Sequence, residues 1–407
     1  MLKEYTALPK SIYIMALANL ISSMGDFVRP FLTMFLTDKV GLSPDYTGFI
    51  VSVSSMIRVP GSILGGRLCD TIGRKKVMVI FGAISAVCFI ISAFAANTSL
   101  LINLLLLSTF ALSVSAPVEA SVITDLTHSG IRKQAFSLTY LFHNLGFAVG
   151  PIVASFLYKK YFSLLFIGNA LATCVALSLI VVGVPETKPK KGNVDNLLSE
   201  YERAEEGGTL AVLMKRPILL AYALIGVLYS LVYSQSTFSL PIYLKELFGE
   251  SGSDFFGAVM SANAVTVVVC STLVTNLTSK FRSLANIAMG GILYAVGFGM
   301  IIFAKNLWLL LLSTFIWTLG EILCAVNEKT FIAEYSPSSH RGRINAVIPL
   351  IAGAGFSISP WLTGKFLKYY SVNMVWPLTF FVAALGALCI FLLSRAEKKL
   401  VYRRQDL

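Results

Sequence analysis

The stretch that decides the fold reads Gly-Arg-Leu-Cys-Asp-Thr-Ile-Gly-Arg-Lys-Lys and runs from Gly66 to Lys76. It places four basic residues, one acid and two glycines between two long apolar runs. Soluble proteins spread such charges over a whole surface. A membrane protein uses a basic loop to anchor one side and glycines to let helices approach closely. The stretch therefore indicates a short loop between two membrane-spanning helices.

The composition is that of a membrane protein. Of the 407 residues, 56% are hydrophobic and 13% are charged, whereas soluble domains average about 45–50% apolar and about 25% charged residues. Apolar runs of about 20 residues are long enough to cross the hydrocarbon core of a bilayer. Such runs lie at 11–37, 46–65, 77–96, 100–123, 135–158, 162–184, 217–240, 255–277, 284–304, 307–332, 344–367 and 374–394. The sequence predicts an all-α integral membrane protein with twelve transmembrane helices.

The net charge of +12 is distributed as a membrane topology requires. If both termini are cytoplasmic, 23 of the 33 lysines and arginines lie on the inner side and seven on the outer side. Because basic residues accumulate in cytoplasmic loops, we expect a multi-pass protein of the cell (inner or plasma) membrane with both termini in the cytoplasm. The same asymmetry explains the basic charge without a nucleic-acid partner.

The chain is predicted to consist of two similar halves. The long polar stretch at 185–216 is interpreted as a cytoplasmic linker between an N-terminal six-helix bundle, 1–184, and a C-terminal six-helix bundle, 217–407. The halves repeat one another at an offset of 209 residues. Matched positions include Asp45 and Asp254, Glu119 and Glu328, Asp125 and Glu334, Arg132 and Arg341, and Pro151 and Pro360. Duplication predicts two pseudo-symmetric bundles with a binding site near the bilayer midplane.

The order Gly-x-x-x-Asp-x-x-Gly-Arg-Lys-Lys in residues 66–76 resembles the loop between spans 2 and 3 of the major facilitator superfamily of transporters. The resemblance implies that Asp70 caps the N-terminal end of span 11, where a helix dipole favours negative charge, and that Arg74 reaches Asp125. The implied conformational latch, which would hold the outward-open state, consists of Gly66, Asp70, Gly73, Arg74, Asp125 and Gly342. The alternative is a loop that only anchors the topology. The equivalent loop at 276–282 lacks the acid and the glycines.

A second motif lies in span 5. Its residues Gly146, Gly150 and Pro151 resemble the Gly-x-x-x-Gly-Pro-x-x-Gly-Gly pattern of proton-linked antiporters within the superfamily. Small residues allow close helix packing, and proline bends a helix because it lacks a backbone donor. The match is partial, since Ala154 and Ser155 replace the last two glycines. A generic kinked helix is the alternative interpretation.

Apart from Lys365 at the outer end of a span, seven charged residues lie within predicted spans, where charge is costly and marks functional positions. They are Asp26, Arg29, Arg58, Glu119, Glu321, Glu328 and Lys329. Because spans 1, 4, 7 and 10 line the central cavity in the family, we expect these residues to form a proton and substrate cavity with Tyr233 and Gln235. A partly dehydrated acid binds protons more tightly, as a proton carrier requires. The alternative is that the acids are salt-bridged and only hold helices together.

The sequence departs from the antiporter pattern in span 4, and this departure bears on which residue would couple transport to protons. Antiporters of this family commonly carry an arginine in span 4, and no arginine occurs at 100–131. Proton coupling would therefore fall to another group. Asp26 and Glu119 are the first candidates, and Glu328 follows from its symmetry with Glu119.

We therefore expect a secondary active transporter that exports small amphiphilic or drug-like solutes by proton-coupled antiport and alternating access. Two alternatives stay open: a proton-coupled symporter for a nutrient or an anionic solute bound by Arg29, Arg58 and Lys329, and a non-transporting membrane sensor or scaffold. The sequence has no phosphate-binding or nucleophile motif of an enzyme. We expect no enzymatic activity, no metal and no cofactor, with the proton gradient as driving force. The expected partners are a small-molecule substrate, protons and the lipid bilayer, and the protein is expected to act as a monomer.

Overall fold

The computed structural model describes residues 8–127, 129–187, 213–214, 216–335 and 341–405. The helices of the N-terminal half are α1 (Lys10–Met24), α2 (Val28–Met34), α3 (Pro44–Met56), α4 (Arg58–Thr71), α5 (Arg74–Phe94), α6 (Thr98–Asp125), α7 (Ser129–Lys160) and α8 (Phe162–Gly183). Those of the C-terminal half are α9 (Pro217–Ser234), α10 (Ser239–Phe248), α11 (Gly252–Thr278), α12 (Ser283–Met300), α13 (Leu307–Tyr335), α14 (Arg341–Leu367) and α15 (Val375–Gln405). Most of the predicted linker, residues 188–212, lies outside the described residues.

Eleven of the described segments are long and apolar enough to cross a membrane. One of them, Pro217–Thr278, has 62 residues, or about 90 Å of helix. It therefore contains two crossings of a core about 30 Å thick. The predicted all-helical architecture of twelve spans is confirmed. Span 1 consists of α1, α2 and a π-helical turn at Phe35–Lys39, span 2 of α3 and α4, and span 7 of α9 and α10.

The described residues form two compact units. The first unit lies within Met1–Lys191 and Leu244–Val268, and the second within Gly192–Tyr243 and Val269–Leu407. A segment of the C-terminal half thus packs with the first unit. Phe256 meets Phe31 edge to face with ring centroids 5.1 Å apart, and a Cβ on Gly257 would lie 2.6 Å from the carbonyl oxygen of Pro151. The division of the chain at 185–216 stays a prediction.

Each unit has its own apolar core. In the first unit, helices α1, α5, α6 and α8 meet around buried residues such as Met15 and Val118. In the second unit, Trp317 of α13 is buried and stacks on Phe298 of α12 with ring centroids 5.3 Å apart. Other large apolar side chains face outward, and Phe381 is 67% exposed. Such faces are suited to contact with lipid chains.

Candidate functional site

Span 1 is interrupted near its middle. α1 ends at Met24 and α2 begins at Val28, so Asp26 lies in a short segment between two helices. Span 6 stabilises the interruption, because Asn169 Oδ1 accepts a hydrogen bond from the Val28 N–H at 3.3 Å. The Asp26 carboxylate accepts hydrogen bonds from the Arg29 guanidinium, at 2.7 Å from Nε and also from Nη2. The two predicted cavity residues form one ion pair at a helix interruption.

Arg58 of span 2 lies close to this ion pair. The span kinks at Ile57 between α3 and α4, because Pro60 has no N–H to donate to the preceding turn. The Arg58 guanidinium is near enough to Arg29 and Asp26 to interact with both charges. It makes no hydrogen bond or ion pair with any residue that the structure describes. Arg58 therefore lies within a membrane span, and its guanidinium N–H donors have no acceptor among the described residues.

Glu119 of span 4 has a fixed partner in span 1. Asn19 Nδ2 donates a hydrogen bond to Glu119 Oε1 at 2.5 Å. One turn further along α1, Ser23 Oγ lies 2.6 Å from His143 Nδ1 of span 5. These contacts hold spans 4 and 5 against span 1. The carboxylate of Glu119 is therefore already hydrogen-bonded in this conformation.

The second unit contains a cavity of about 270 Å³ between α9, α12, α13 and α14. Four tyrosines and two glutamates line it, and they are Tyr222, Tyr229, Tyr233, Tyr294, Glu321 and Glu328. Tyr233 OH donates a hydrogen bond to Glu321 Oε1 at 3.0 Å. Tyr229 OH instead donates to the carbonyl oxygen of Ile287 at 3.2 Å. The cavity combines aromatic faces with carboxylates, as a site for an organic cation requires.

Glu328 differs from the other acids. Its carboxylate lines the cavity and has no hydrogen bond or ion pair within the described part of the chain. The charge that acts on it is that of the adjacent Lys329, which is exposed and does not line the cavity. Its symmetry partner Glu119 accepts a hydrogen bond from Asn19. Asp26 is paired with Arg29. Glu328 can therefore exchange a proton without breaking an ion pair.

Gln235 lies apart from this cavity, contrary to the expectation that it joins Tyr233 there. It begins the interruption of span 7 between α9 and α10, 209 residues after Asp26. Its amide nitrogen donates to Ser359 Oγ at 2.8 Å and to Thr363 Oγ1 at 3.0 Å. These bonds turn the side chain toward span 11, where it lines a separate cleft of about 240 Å³. Spans 1 and 7 are thus interrupted at equivalent positions with different polar contacts.

The predicted latch is partly visible where α4 meets α5. Arg74 Nε donates a hydrogen bond to Asp125 Oδ2 at 2.9 Å, and the Arg74 side chain is 7% exposed. This contact is the one that the family resemblance implied. The side chain of Asp70 and the surroundings of Gly342 lie outside the described residues. The contact between Asp70 and span 11 therefore stays a prediction.

Glu186, at the end of span 6, belongs to the same region and was missed by the sequence analysis. Its carboxylate accepts hydrogen bonds from the backbone N–H groups of Arg74 at 2.7 Å and Lys75 at 3.3 Å. It therefore caps the N-terminus of α5, where the helix dipole favours negative charge. Gly73 has φ +107°, and a Cβ there would lie 2.6 Å from Glu186 Oε2. A Cβ on Gly66 would meet open space among the described residues, and the close approach predicted there stays a prediction.

The motif of Gly146, Gly150 and Pro151 is buried between other spans. A Cβ on Gly146 would overlap a backbone carbonyl of α1, and one on Gly150 would lie 2.9 Å from another. The carbonyl oxygen of Pro151 faces Gly257 of α11. In the other half, Gly355 packs in the same way against the backbone of α9. Packing explains the motif in both halves, and a specific role in antiport stays a prediction.

Gly146→Ala should destabilise the protein although alanine favours helices. The added Cβ overlaps the α1 backbone, and overpacking of this kind costs about 1–3 kcal/mol. Gly353→Ala is the matched control, because a Cβ there meets open space and alanine gains up to about 1 kcal/mol over glycine in a helix. Thermal unfolding of the purified variants compares them. Equal midpoints would contradict the close packing of α7 on α1.

Two ion pairs attach residues 244–268 to the first unit, and the sequence analysis missed both. Asp38, at the end of span 1, accepts hydrogen bonds from Lys245 Nζ at 3.0 Å and from Tyr158 OH at 2.8 Å. Lys159 pairs with Asp254. The partners are far apart in the sequence and lie at the ends of apolar runs, where single charges normally indicate only the membrane boundary. The fold alone brings them together.

Helix bundles with charges at interrupted spans and an acid-lined cavity define a polytopic transport protein. The chain belongs to the Major Facilitator Superfamily, which its residues 15–284 and 251–404 match. The resemblance drawn from the Gly66–Lys76 stretch is confirmed. Proteins of this family are transporters and not enzymes.

The relatives of the chain are distant. It is 22% identical over 362 residues to a Na(+), Li(+), K(+)/H(+) antiporter of Planococcus maritimus, with 82% of this chain and 84% of the relative covered. It is 21% identical over 332 residues to the multidrug resistance protein MdtH of Aeromonas hydrophila subsp. hydrophila, with 81% of each covered. A crystal structure of peptide transporter POT in complex with sulfate has a TM-score of 0.79 at 15% identity, over 96% of both chains. This last similarity shows the fold alone.

Proposed function

We propose that the protein exchanges protons for small amphiphilic solutes and is driven by the proton gradient across the cell membrane. The observation that carries the proposal is the cavity of the second unit, which Glu328 and several tyrosine rings line. The Glu328 carboxylate makes no hydrogen bond or ion pair with any described residue. Aromatic faces attract organic cations, and a carboxylate binds either such a cation or a proton. A site that holds one or the other in turn couples their movements.

The exchange would proceed by alternating access. In this mechanism a transport site opens to one side of the membrane and then to the other, and binding can shift the equilibrium only through unequal affinity for the two end states. Protonation of Glu328 would release the solute on one side, and deprotonation would prepare the site on the other. On the distribution of basic residues, both termini would be cytoplasmic.

Two relatives support this proposal by their names, since one is a cation/proton antiporter and the other a multidrug resistance protein. The cavity chemistry supports it independently, because carboxylates and tyrosines favour cations over anions.

Proteoliposomes under an imposed pH gradient test the proposal. We expect a lipophilic cation such as tetraphenylphosphonium to move against the proton flux, with the internal pH recorded by an entrapped dye in the same vesicles. A panel of small neutral and anionic nutrients serves as comparison, and protein-free vesicles give the passive leak. Solute and protons moving in the same direction would establish symport instead. Solute flux without proton movement would exclude coupling.

A further inference from the structure

The unpaired arginine of span 2 has no role in the proposed exchange of cations. Arg58 makes no hydrogen bond or ion pair with the described residues, although an arginine within a membrane span is costly unless it is hydrated or paired. Its guanidinium carries five N–H donors in a planar fork that fits a carboxylate or a phosphate group. The open fork therefore has the chemistry of an anion-binding group.

Arg58, Arg29 and Asp26 together carry one net positive charge. Arg29 and Asp26 are the charged groups that act on it, and the Asp26 carboxylate already receives two N–H groups from Arg29. One carboxylate thus faces two guanidinium groups. His143 is acted on by the same pair, and its Nδ1 lies 2.6 Å from Ser23 Oγ. A single negative group at Arg58 would neutralise the cluster.

The depth of Arg58 in the membrane indicates where that negative group comes from. Arg58 lies halfway along span 2, between Pro44 and Thr71, about 20 Å from either end at 1.5 Å per residue. The hydrocarbon core extends only about 15 Å to each side of its midplane. Lipid headgroups lie outside that core, whereas transported solutes pass through the midplane. The position favours a solute over a lipid headgroup.

We propose that Arg58, supported by Arg29, is a subsite for the carboxylate or other monoanionic group of an amphiphilic solute. The inference rests on the proposed transport function, and it extends the substrate class to solutes with an anionic group. Asp26 would orient Arg29 and leave the Arg58 fork for the ligand. A charge-assisted contact of this kind also selects for geometry, because both oxygens of a carboxylate can be held at once.

Equilibrium binding to the purified full-length protein in phosphatidylcholine nanodiscs tests the subsite. The probes are 2-naphthoate and 2-naphthamide, which share a shape and differ in charge, followed by further acid and amide pairs. We expect the wild-type protein to prefer the acid, and Arg58→Gln to weaken acid binding about tenfold or more, as expected for a lost charge-assisted hydrogen bond. Amide binding should not change. Arg58→Lys should restore part of the preference.

Arg395→Gln is the matched control, because this exposed arginine lies on α15 over the ring of Phe391. A wild-type protein without preference for acids, or a preference that survives Arg58→Gln, would overturn the proposal. Nanodiscs with added phosphatidylglycerol separate the two anion sources. If that lipid displaces naphthoate from the wild-type protein and not from Arg58→Gln, the site binds headgroups and the solute assignment is wrong.

Failure of this inference differs from failure of the proposed function. A wild-type protein that exchanges cations for protons but shows no acid preference would refute the subsite alone. A wild-type protein that binds acids through Arg58 but moves no cation under a pH gradient would refute the exchange of cations alone. Both measurements use the same purified wild-type protein.

Discussion

Glu328→Gln should remove the pH dependence of cation binding and reduce gradient-driven transport to the leak of protein-free vesicles. In the wild-type protein we expect the affinity for a lipophilic cation to fall as the pH falls, because protonation removes the negative charge that holds the cation. Glutamine cannot ionise, so binding to Glu328→Gln should be weaker and nearly independent of pH. Titration of the purified protein with tetraphenylphosphonium at several pH values gives this comparison.

Three controls make the result specific. Glu250→Gln changes an exposed acid between α10 and α11 and should behave as the wild-type protein. Asp26→Asn and Glu119→Gln test the two carboxylates that have partners in span 1. If cation binding to Glu328→Gln still depends on pH, and this dependence is lost in either of the other two variants, the proton-binding residue lies in the first unit.

The sequence and the structure favour different carboxylates as the proton-binding group. The sequence favours Asp26 and Glu119, whereas the contacts in the structure favour Glu328. The sequence places Asp26 and Glu119 first because spans 1 and 4 line the cavity in the family. Protonation of Asp26 costs its ion pair with Arg29, and protonation of Glu119 weakens the hydrogen bond from Asn19, because hydrogen bonds to a charged acceptor are the stronger ones. The identity of Asn19 as the partner of Glu119 depends on the packing of two spans that are 100 residues apart. No local pattern predicts that contact.

The spans were predictable from the sequence, and their interruptions were not. Length and apolar composition locate a span because the bilayer core has a fixed thickness. The interruption at Asp26 depends instead on Asn169 of span 6, which accepts the Val28 N–H, and on Gly25, where a side chain would overlap Ala172. Both contacts are tertiary. An apolar run of the same composition reads as one continuous helix.

Glu186 illustrates the same limit at the end of a span. The sequence places it in the polar stretch that begins the predicted linker, where a glutamate has no distinguishing context. In the structure it accepts the backbone N–H of Arg74, 112 residues away. The glycine at 73 is the one local signal, because its positive φ brings the start of α5 against the carboxylate.

Asp125→Asn should slow transport strongly, because it removes the ion pair with Arg74. The Arg74 side chain is 7% exposed and that of Asp125 27%. Breaking a buried ion pair costs about 3–5 kcal/mol, and the partial exposure of Asp125 places the expected loss at the lower end. A loss of about 3 kcal/mol corresponds to roughly 100-fold in an equilibrium constant. If the ion pair of Arg74 and Asp125 forms in only one of the two end states of transport, its loss should shift the equilibrium between those states by this factor.

The matched test of a latch is the corresponding end of the other half. There Glu397 accepts a hydrogen bond from Tyr335 OH at 2.5 Å and lies 3.9 Å from Arg282, where the sequence has lost the acid and glycines of the first copy. We expect Glu397→Gln to lower the unfolding midpoint with little change in turnover per folded molecule, and Asp125→Asn to lower turnover more than stability. Similar turnover defects in both variants would mean that the two carboxylates only hold their own bundles together. Only an unequal effect supports a latch, because carboxylates that merely hold their own bundles together should affect turnover alike, whereas a conformational switch makes turnover depend on Asp125 alone.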